Sequence, residues 1–260
     1  ADGIVRGVNT PVSPSPVTDG QNVYVFFETF GLVSYDKDGK ERWRVPLGPF
    51  NKAPYGMAAS PILHKDLVIL QADQDTDSFL IAVNAADGKV RWKQERKDVT
   101  HGFSTPIVWE PKGQPAQLLV LGSYQLQALS AATGEKLWWI NGMAWQAKSL
   151  PVLEGDSVYV HSWMADMSGI GLPQDIDPWE AVVSKSDLDK DGKLAQKEIP
   201  YEEMRKLMFL FDLNKDRFID KDEWNVLFLR NQAKNGMYAI SLPKSAAEAK
   251  GDRTESAVRW

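Results

Sequence analysis

The sequence has no cysteine and only three histidines in 260 residues. A disulfide framework, a thiolate metal site and a cysteine nucleophile are thereby excluded. His64, His101 and His161 show no partner spacing that suggests a metal site or a nucleophile, so they read as structural. A Gly-x-Ser-x-Gly elbow is also missing, which removes the commonest hydrolase signature. No apolar run approaches the ~18 residues a transmembrane helix needs, so no membrane span is expected. The start, Ala1-Asp2-Gly3, lacks the basic and apolar regions of a leader, and any signal peptide is expected to lie outside these residues. Net charge is only -5, from 30 Lys+Arg against 35 Asp+Glu, which argues against a nucleic-acid partner. What is present is an ordinary globular mixture, 43% hydrophobic and 25% charged, with an unusual ten Trp.

Four prolines recur in similar contexts at intervals of 45: Pro16, Pro61, Pro106 and Pro151. Each is followed by a β-rich run, namely Val23–Phe27, Leu67–Leu70, Leu118–Leu121 and Val158–Val160. In the first three repeats a second apolar run follows, at Leu32–Tyr35, Phe79–Val83 and Leu126–Leu129. A glycine turn then leads to a Trp four residues later, from Gly39 to Trp43, Gly88 to Trp92 and Gly134 to Trp138. Short β-rich runs separated by turns predict antiparallel meanders, and a four-stranded unit of ~40–50 residues is a propeller blade. The repeated Trp, large and flat, is expected to pack between neighbouring sheets as core.

These motifs, Ser-Pro-Val, Asp-Gly, Val-Tyr-Val and Asp-Gly-Lys-x-x-Trp, resemble the PQQ-like repeat of quinoprotein-alcohol-dehydrogenase-type propellers, and most of all their non-enzymatic, BamB-like members. The resemblance covers about residues 12–163 and 236–260. It implies a mainly β fold of four-stranded antiparallel blades. Such propellers usually close with seven or eight blades, whereas four are present here, so the chain is expected to be part of a longer protein. A ring completed by a second copy is the other expectation.

The fourth repeat lacks its second apolar run after Val160. That run reappears as Met237–Ser241, followed by Gly251-Asp252 and Val258-Arg259-Trp260, with Trp260 aligned with the repeat Trp. Three segments follow: blades over 1–163, an insertion over 164–235, and return strands over 236–260. The Gly-, Pro- and Asp-rich stretch 164–178 reads as a linker. The insertion holds 15 acidic and 11 basic residues, nearly all of the chain's negative balance.

Within it, residues 187–198 fit a twelve-residue EF-hand loop at every diagnostic position. Asp187, Asp189 and Asp191 stand at positions 1, 3 and 5, and Gly192 takes the turn at position 6. Lys193 offers its backbone carbonyl at position 7, Ala195 leaves position 9 to water, and Glu198 stands at position 12. Leu194 is the apolar residue that pairs with a second loop. That loop supplies Asp212, Asn214, Asp216, the Phe218 carbonyl, Asp220 and Glu223. Its position 6 is Arg217, where a side chain at positive φ costs on the order of 1 kcal/mol and adds charge near the ion, so this site is the weaker one. Asp177-Pro178 predicts a helix start. Met204, Leu207, Met208 and Phe211, and then Trp224, Leu227 and Phe228, predict helical faces forming the core of an all-α EF-hand pair over about 179–234.

In a meander, the turn between strands two and three lies at the same end as the link to the next blade. The insertion is therefore expected over that face, near the mouth of the central channel. The matching acidic turn of the second blade, 71–77, is expected to be a solvated loop. Two functions remain. One is a calcium-binding, non-catalytic scaffold, periplasmic or secreted, that takes a protein or peptide on the propeller face. The other is a PQQ- and calcium-dependent alcohol or sugar dehydrogenase. The family resemblance implies for such enzymes a calcium ion, a catalytic Asp and a Trp floor, and in many an adjacent cysteine pair. No matching set can be placed on this sequence, so no catalytic residue is assigned, PQQ is not expected, and the scaffold is preferred.

Overall fold

A computed structural model describes residues 9–10, 12–164 and 175–260; residues 165–174 of the expected linker lie outside them. The first blade comprises β1 (Val17–Thr18), β2 (Asn22–Phe27), β3 (Gly31–Asp36) and β4 (Glu41–Val45). The second comprises β5 (Ile62–His64), β6 (Leu67–Ala72), β7 (Phe79–Asn84) and β8 (Val90–Glu95). The third comprises β9 (Ile107–Trp109), β10 (Gln117–Leu121), β11 (Gln125–Ser130) and β12 (Lys136–Asn141). In each, consecutive strands pair antiparallel. The chain is thus mainly β, in four-stranded meanders.

The 45-residue repeat is a hydrogen-bonding period. Ser15 N–H donates to Ser60 Oγ at 2.9 Å, and Ser60 N–H donates to Thr105 Oγ1 at 2.9 Å. Ser104 Oγ then donates to the Ser149 carbonyl at 2.8 Å. Each bond joins one blade to the next.

The repeated Trp explains the glycine turns. Trp43 Nε1–H donates to the Ala85 carbonyl of the second blade at 3.0 Å, and Trp92 Nε1–H donates to the Ala131 carbonyl of the third at 3.2 Å. Beneath these rings lie Gly88 and Gly134, both at positive φ, where an added Cβ would meet indole carbons at 2.9 Å and 2.5 Å. Each indole also sits opposite a small residue: Ser34 faces Trp43, Ala82 faces Trp92 and Ala128 faces Trp138. In all three blades the strand register shifts just beyond that pair, as a β-bulge does when it re-aims a side chain.

The fourth blade departs from the expectation. Its sheet has three strands, β13 (Val152–Glu154), β14 (Ser157–Ser162) and β17 (Gly236–Ser241). Val258–Trp260 lies beside β17 through one bridge and two backbone bonds, Arg259 N–H to the Ala239 carbonyl and Ala239 N–H to the Trp260 carbonyl, both 2.8 Å. Gly251–Asp252 (β18) does not serve as this blade's turn. It joins the third blade, parallel to β12. The reason lies in the segment 242–253, which is long enough to reach back. Arg253 covers the Trp138 ring at 5.3 Å, and Trp138 Nε1–H turns instead to Gln117 Oε1 of its own blade at 2.8 Å. Trp260, aligned with core tryptophans by sequence, is 62% exposed, against 9% for Trp43 and 8% for Trp92.

The seam geometry predicts unequal costs for Gly→Ala at matched backbone conformation. Gly113, at φ +73, has open space around it, and Gly134, at φ +75, lies under Trp92. Gly113→Ala should cost about 1 kcal/mol of backbone strain. Gly134→Ala should cost a further ~1–3 kcal/mol of overpacking. Urea denaturation of the two variants checks the difference.

Candidate metal centre and the propeller face beneath it

Between β14 and β17 the chain leaves the sheet and returns to it at the same rung, Ser162 opposite Gly236. Asn235 closes the base: its Oδ1 accepts from Met164 N–H at 2.7 Å and its Nδ2 donates to the Met164 carbonyl at 2.8 Å. The inserted segment carries α1 (Trp179–Ser186), β15 (Leu194–Ala195), α2 (Glu202–Lys206), β16 (Phe218–Ile219) and α3 (Lys221–Gln232). It has its own core of Trp179, Val182, Leu194, Met204, Met208, Phe211, Ile219, Trp224 and Leu227. Met204, Met208 and Phe211 are therefore core, as expected, whereas Phe228 is half-buried outside it; the helix carrying Met204 is short, α2 ending at Lys206 before a 3-10 turn over Met208–Leu210. Asp177 does not cap α1 with its side chain. Pro178 occupies the cap position, and the Asp177 carbonyl accepts from Trp224 Nε1 at 2.9 Å.

The two loops are built alike. β15 and β16 pair antiparallel, Leu194 opposite Ile219. Positions 4 and 6 of each loop lie at positive φ: Lys190 and Gly192 in the first, Lys215 and Arg217 in the second. Arg217 thus takes at φ 72 the turn that Gly192 takes at φ 81. In the first loop Gly192 N–H donates to Asp187 Oδ2 at 3.0 Å, and Lys193 N–H donates to Asp191 Oδ1 at 2.9 Å. In the second, Arg217 N–H donates to Asp212 Oδ2 and Phe218 N–H to Asp216 Oδ1, both 2.9 Å. Glu198 accepts from Leu188 N–H at 3.2 Å and Ala195 N–H at 2.9 Å. Glu223 accepts from Leu213 and Asn214 N–H at 2.7 and 3.1 Å, and it closes a capping box with Asp220 at the start of α3. Backbone donors therefore fix both twelfth-position carboxylates across their loops.

The loops differ in charge. Carboxylate oxygens of Asp187, Asp189 and Asp191 lie within 4.8 Å of one another, the one such acidic group among the described residues. Asp187 Oδ1 is buried without a hydrogen-bond partner. A desolvated carboxylate oxygen lacking a donor costs roughly 1–3 kcal/mol, more when charged. This all-oxygen donor set suits a hard divalent cation. In the second loop a cation is already supplied by the protein: Lys193 Nζ bonds Asp216 Oδ2 at 2.8 Å. At Asp216 burial acts to raise the pKa, but the Lys193 ammonium and the Phe218 N–H together hold the carboxyl below its usual value. Burial pushes the Glu223 carboxyl up to about 7 against its backbone donors.

The module stands over the end of the propeller where strand-two-to-three turns and blade links gather. A cavity of about 530 Å³ separates Leu213, Asp220, Asp222 and Val226 of the module from Lys52, Asp75–Phe79, Lys93 and Glu95–Lys97 of the first two blades. A second, of about 370 Å³, lies between Phe211, Leu213, Leu227 and Arg230 and the link residues Tyr55, His101 and Trp145. Arg230 bridges the two parts, its guanidinium 5.1 Å from the Trp145 ring and 6.0 Å from Phe211. Lys97 pairs with Asp222 at 3.1 Å in an exposed contact.

Beneath the module, the acidic turn 71–77 is not the solvated loop expected from sequence. Asp73 is fully buried against Arg96, at 2.8 Å to Nε and 3.1 Å to Nη2, and Gln71 Nε2 donates to it at 2.7 Å. Asp75 bonds His101 Nδ1. The partners lie 23 and 26 residues away, both on the link from β8 to β9, so no local pattern announced them.

A family model described as outer membrane protein assembly factor BamB matches residues 5–138. The chain belongs to this family. Among solved structures, BamB from Moraxella catarrhalis is similar over 57% of this chain and 46% of its own, at 17% identity and a TM-score of 0.45. The quinohemoprotein alcohol dehydrogenase of Comamonas testosteroni is similar over 58% of this chain and 29% of its own, at 19% identity and a TM-score of 0.43. A europium-containing methanol dehydrogenase is similar over 55% and 27%, at 16% identity and a TM-score of 0.38. This BamB-family chain thus spans less than half the length of each of these structures. No curated protein matches it.

Arg230 and Lys97 offer a direct comparison of the contacts that hold the module down. An exposed ion pair contributes ~0–1 kcal/mol, whereas a cation between aromatic faces contributes about 0.5–2 kcal/mol. Arg230→Ala should speed amide hydrogen exchange in α3 several-fold by mass spectrometry, and Lys97→Ala should leave it within twofold.

Proposed function

We propose that residues 187–198 and 212–223 are a pair of EF-hand calcium loops, and that the chain is a non-catalytic, calcium-braced propeller scaffold. The observation that carries this reading is the buried, partnerless Asp187 Oδ1 beside the clustered oxygens of Asp189 and Asp191. A cation there would give that oxygen its missing partner and offset the repulsion of three crowded carboxylates. The first-loop ligands are Asp187, Asp189, Asp191, the Lys193 carbonyl and Glu198. The second-loop ligands are Asp212, Asn214, Asp216, the Phe218 carbonyl, Asp220 and Glu223. Calcium supplies charge neutralisation and loop rigidity, and the module's own residues do the rest: α3 is capped by a ligand, Asp220, holds a second, Glu223, in its first turn, and carries Arg230 onto the face.

Extracellular calcium is abundant, so a weak, constantly filled site suffices, and the metal braces the module instead of signalling through it. The matched family is described as an outer membrane protein assembly factor. That description supports a protein or peptide partner on the propeller face and a periplasmic or secreted location. Dye-linked alcohol oxidation on adding PQQ with calcium would contradict the scaffold reading.

Calorimetric titration of chelator-stripped protein checks the metal sites. Two binding events are expected, the tighter one lost in Asp187→Asn with Glu198→Gln. Lys193→Ala frees Asp216 and should tighten the weaker event about three- to tenfold, as should Arg217→Gly. Absence of binding heat in the native protein, confirmed by an unchanged circular dichroism melt with calcium, would refute the proposal.

A further inference from the structure

The cavity of about 370 Å³ between the module and the blade links is within the size range of small-molecule sites. Its acceptors are engaged and its donors are not. Gln146 Nε2 lies 3.1 Å from His101 Nε2, so that ring nitrogen accepts and Nδ1–H is left to donate to Asp75. Asp212 accepts from the N–H groups of Asp216 and Arg217 at 3.0 and 2.9 Å. Glu223 accepts from Leu213, Asn214 and Asp220 N–H at 2.7, 3.1 and 3.1 Å. The three carboxylates lining the cavity are thus each turned to a donor of the protein itself.

The donors stand open. Arg230 is half-buried between the Trp145 and Phe211 rings, and among the described residues its guanidinium has neither a hydrogen bond nor an ion pair. Lys215 at the rim is exposed and has no such partner among them either. Deeper in the wall, Thr100 is 3% exposed. Its Oγ1 has the Tyr124 hydroxyl beside it and no well-formed hydrogen bond. Burial pushes the Tyr124 phenol up to about 12, so it keeps its proton at neutral pH. The rest of the wall is largely apolar, with Tyr55, Leu210, Leu213, Val226 and Leu227 beside the two rings. A cavity with surplus donors and apolar walls calls for a ligand that brings acceptors on an apolar body.

We propose that this cavity binds a small free carboxylic acid with a flat apolar body, its carboxylate on the Arg230 guanidinium and its body among Tyr55, Trp145, Phe211 and Leu227. The planar guanidinium presents a fork of N–H groups that a carboxylate matches with two parallel hydrogen bonds. Phosphate fits less well, because most of the oxygens around its tetrahedron would meet apolar walls. Arg230 and Leu227 come from the module, and Tyr55 and Trp145 from the blade links, so the ligand bridges the two and the site needs the insertion for half of its wall. None of the side chains that hold the ligand is a proposed metal ligand, and the inference stands apart from the calcium reading.

Calorimetric titration of the whole chain with 2-naphthylacetate, its neutral amide and inorganic phosphate tests it. The acid should bind with a dissociation constant below about 1 mM. The amide and phosphate should each bind at least about tenfold more weakly, because a charged hydrogen-bond pair is lost or the body is missing. Arg230→Lys keeps the positive charge and loses the fork. It should weaken the acid about tenfold and bring acid and amide within about threefold of each other, with the circular dichroism spectrum unchanged. In the native chain the acid should also slow amide hydrogen exchange in α3, which a ligand bridging module and blades does and one bound elsewhere does not. No binding of the acid at several millimolar overturns the proposal. So does equal binding of acid and amide, phosphate binding as tightly as the acid, or an acid affinity indifferent to Arg230→Lys.

Discussion

A single blade of this molecule cannot bury both of its faces, and most of the structure follows from that. The central strands show the consequence. β6 and β10 are buried at every residue because a blade lies on each side, while β2 and β14, in the first and fourth blades, alternate buried with half-exposed or exposed. Stability of such an array is a sum over neighbours. The neighbour term is set by an indole lying on a glycine turn, a small residue opposite it, and serine or threonine oxygens joining blades at the repeat interval. Glycine is required at Gly88 and Gly134 for two reasons together, positive φ and the absence of room for a Cβ.

The inserted module obeys a different logic. Its helices are short, and short helices depend on tertiary packing. Trp224 supplies much of that packing, stacking with Tyr201 and meeting Trp179 while its N–H reaches the Asp177 carbonyl. The loops hold carboxylates at close quarters by backbone hydrogen bonds, an arrangement that concentrates negative charge. In the second loop the Lys193 ammonium relieves it, and in the first loop the Asp187 oxygen is left without a donor. The insertion site joins the two logics. Because the excursion leaves and re-enters a hairpin at one rung, it is fixed at its base, and Arg230 between Trp145 and Phe211 fixes its far side to the blade links.

The repeats were legible because period, proline context and Gly-to-Trp spacing are local and occur three or four times over. The shape of the two inserted loops was legible for the same reason: a twelve-residue pattern places the turn at position 6 and the pairing of Leu194 with the second loop. Long-range pairings were not. Asp73 reads as one acid among several in 71–77, and its burial is decided by Arg96 just past the end of β8 and by Gln127 on the next blade, which Arg96 also bonds. The fate of Trp260 was hidden too, since its alignment with Trp43 and Trp92 is sound but burial needs a blade to lie on. The segment 242–253 misled for a third reason. Its glycine suggested a blade turn, yet extra length let it add β18 to the neighbouring sheet and bring Arg253 over Trp138.

The central claim, that the clustered carboxylates of the inserted module close around a calcium ion, is tested most directly at the Gly192 amide, which donates to Asp187 Oδ2 at 3.0 Å. A cation bound to Asp187 polarises that hydrogen bond, so proton–nitrogen NMR of the chelator-stripped chain should show the Gly192 resonance moving downfield and saturating as calcium is added. A Gly192 resonance that stays in place through millimolar calcium would contradict the account.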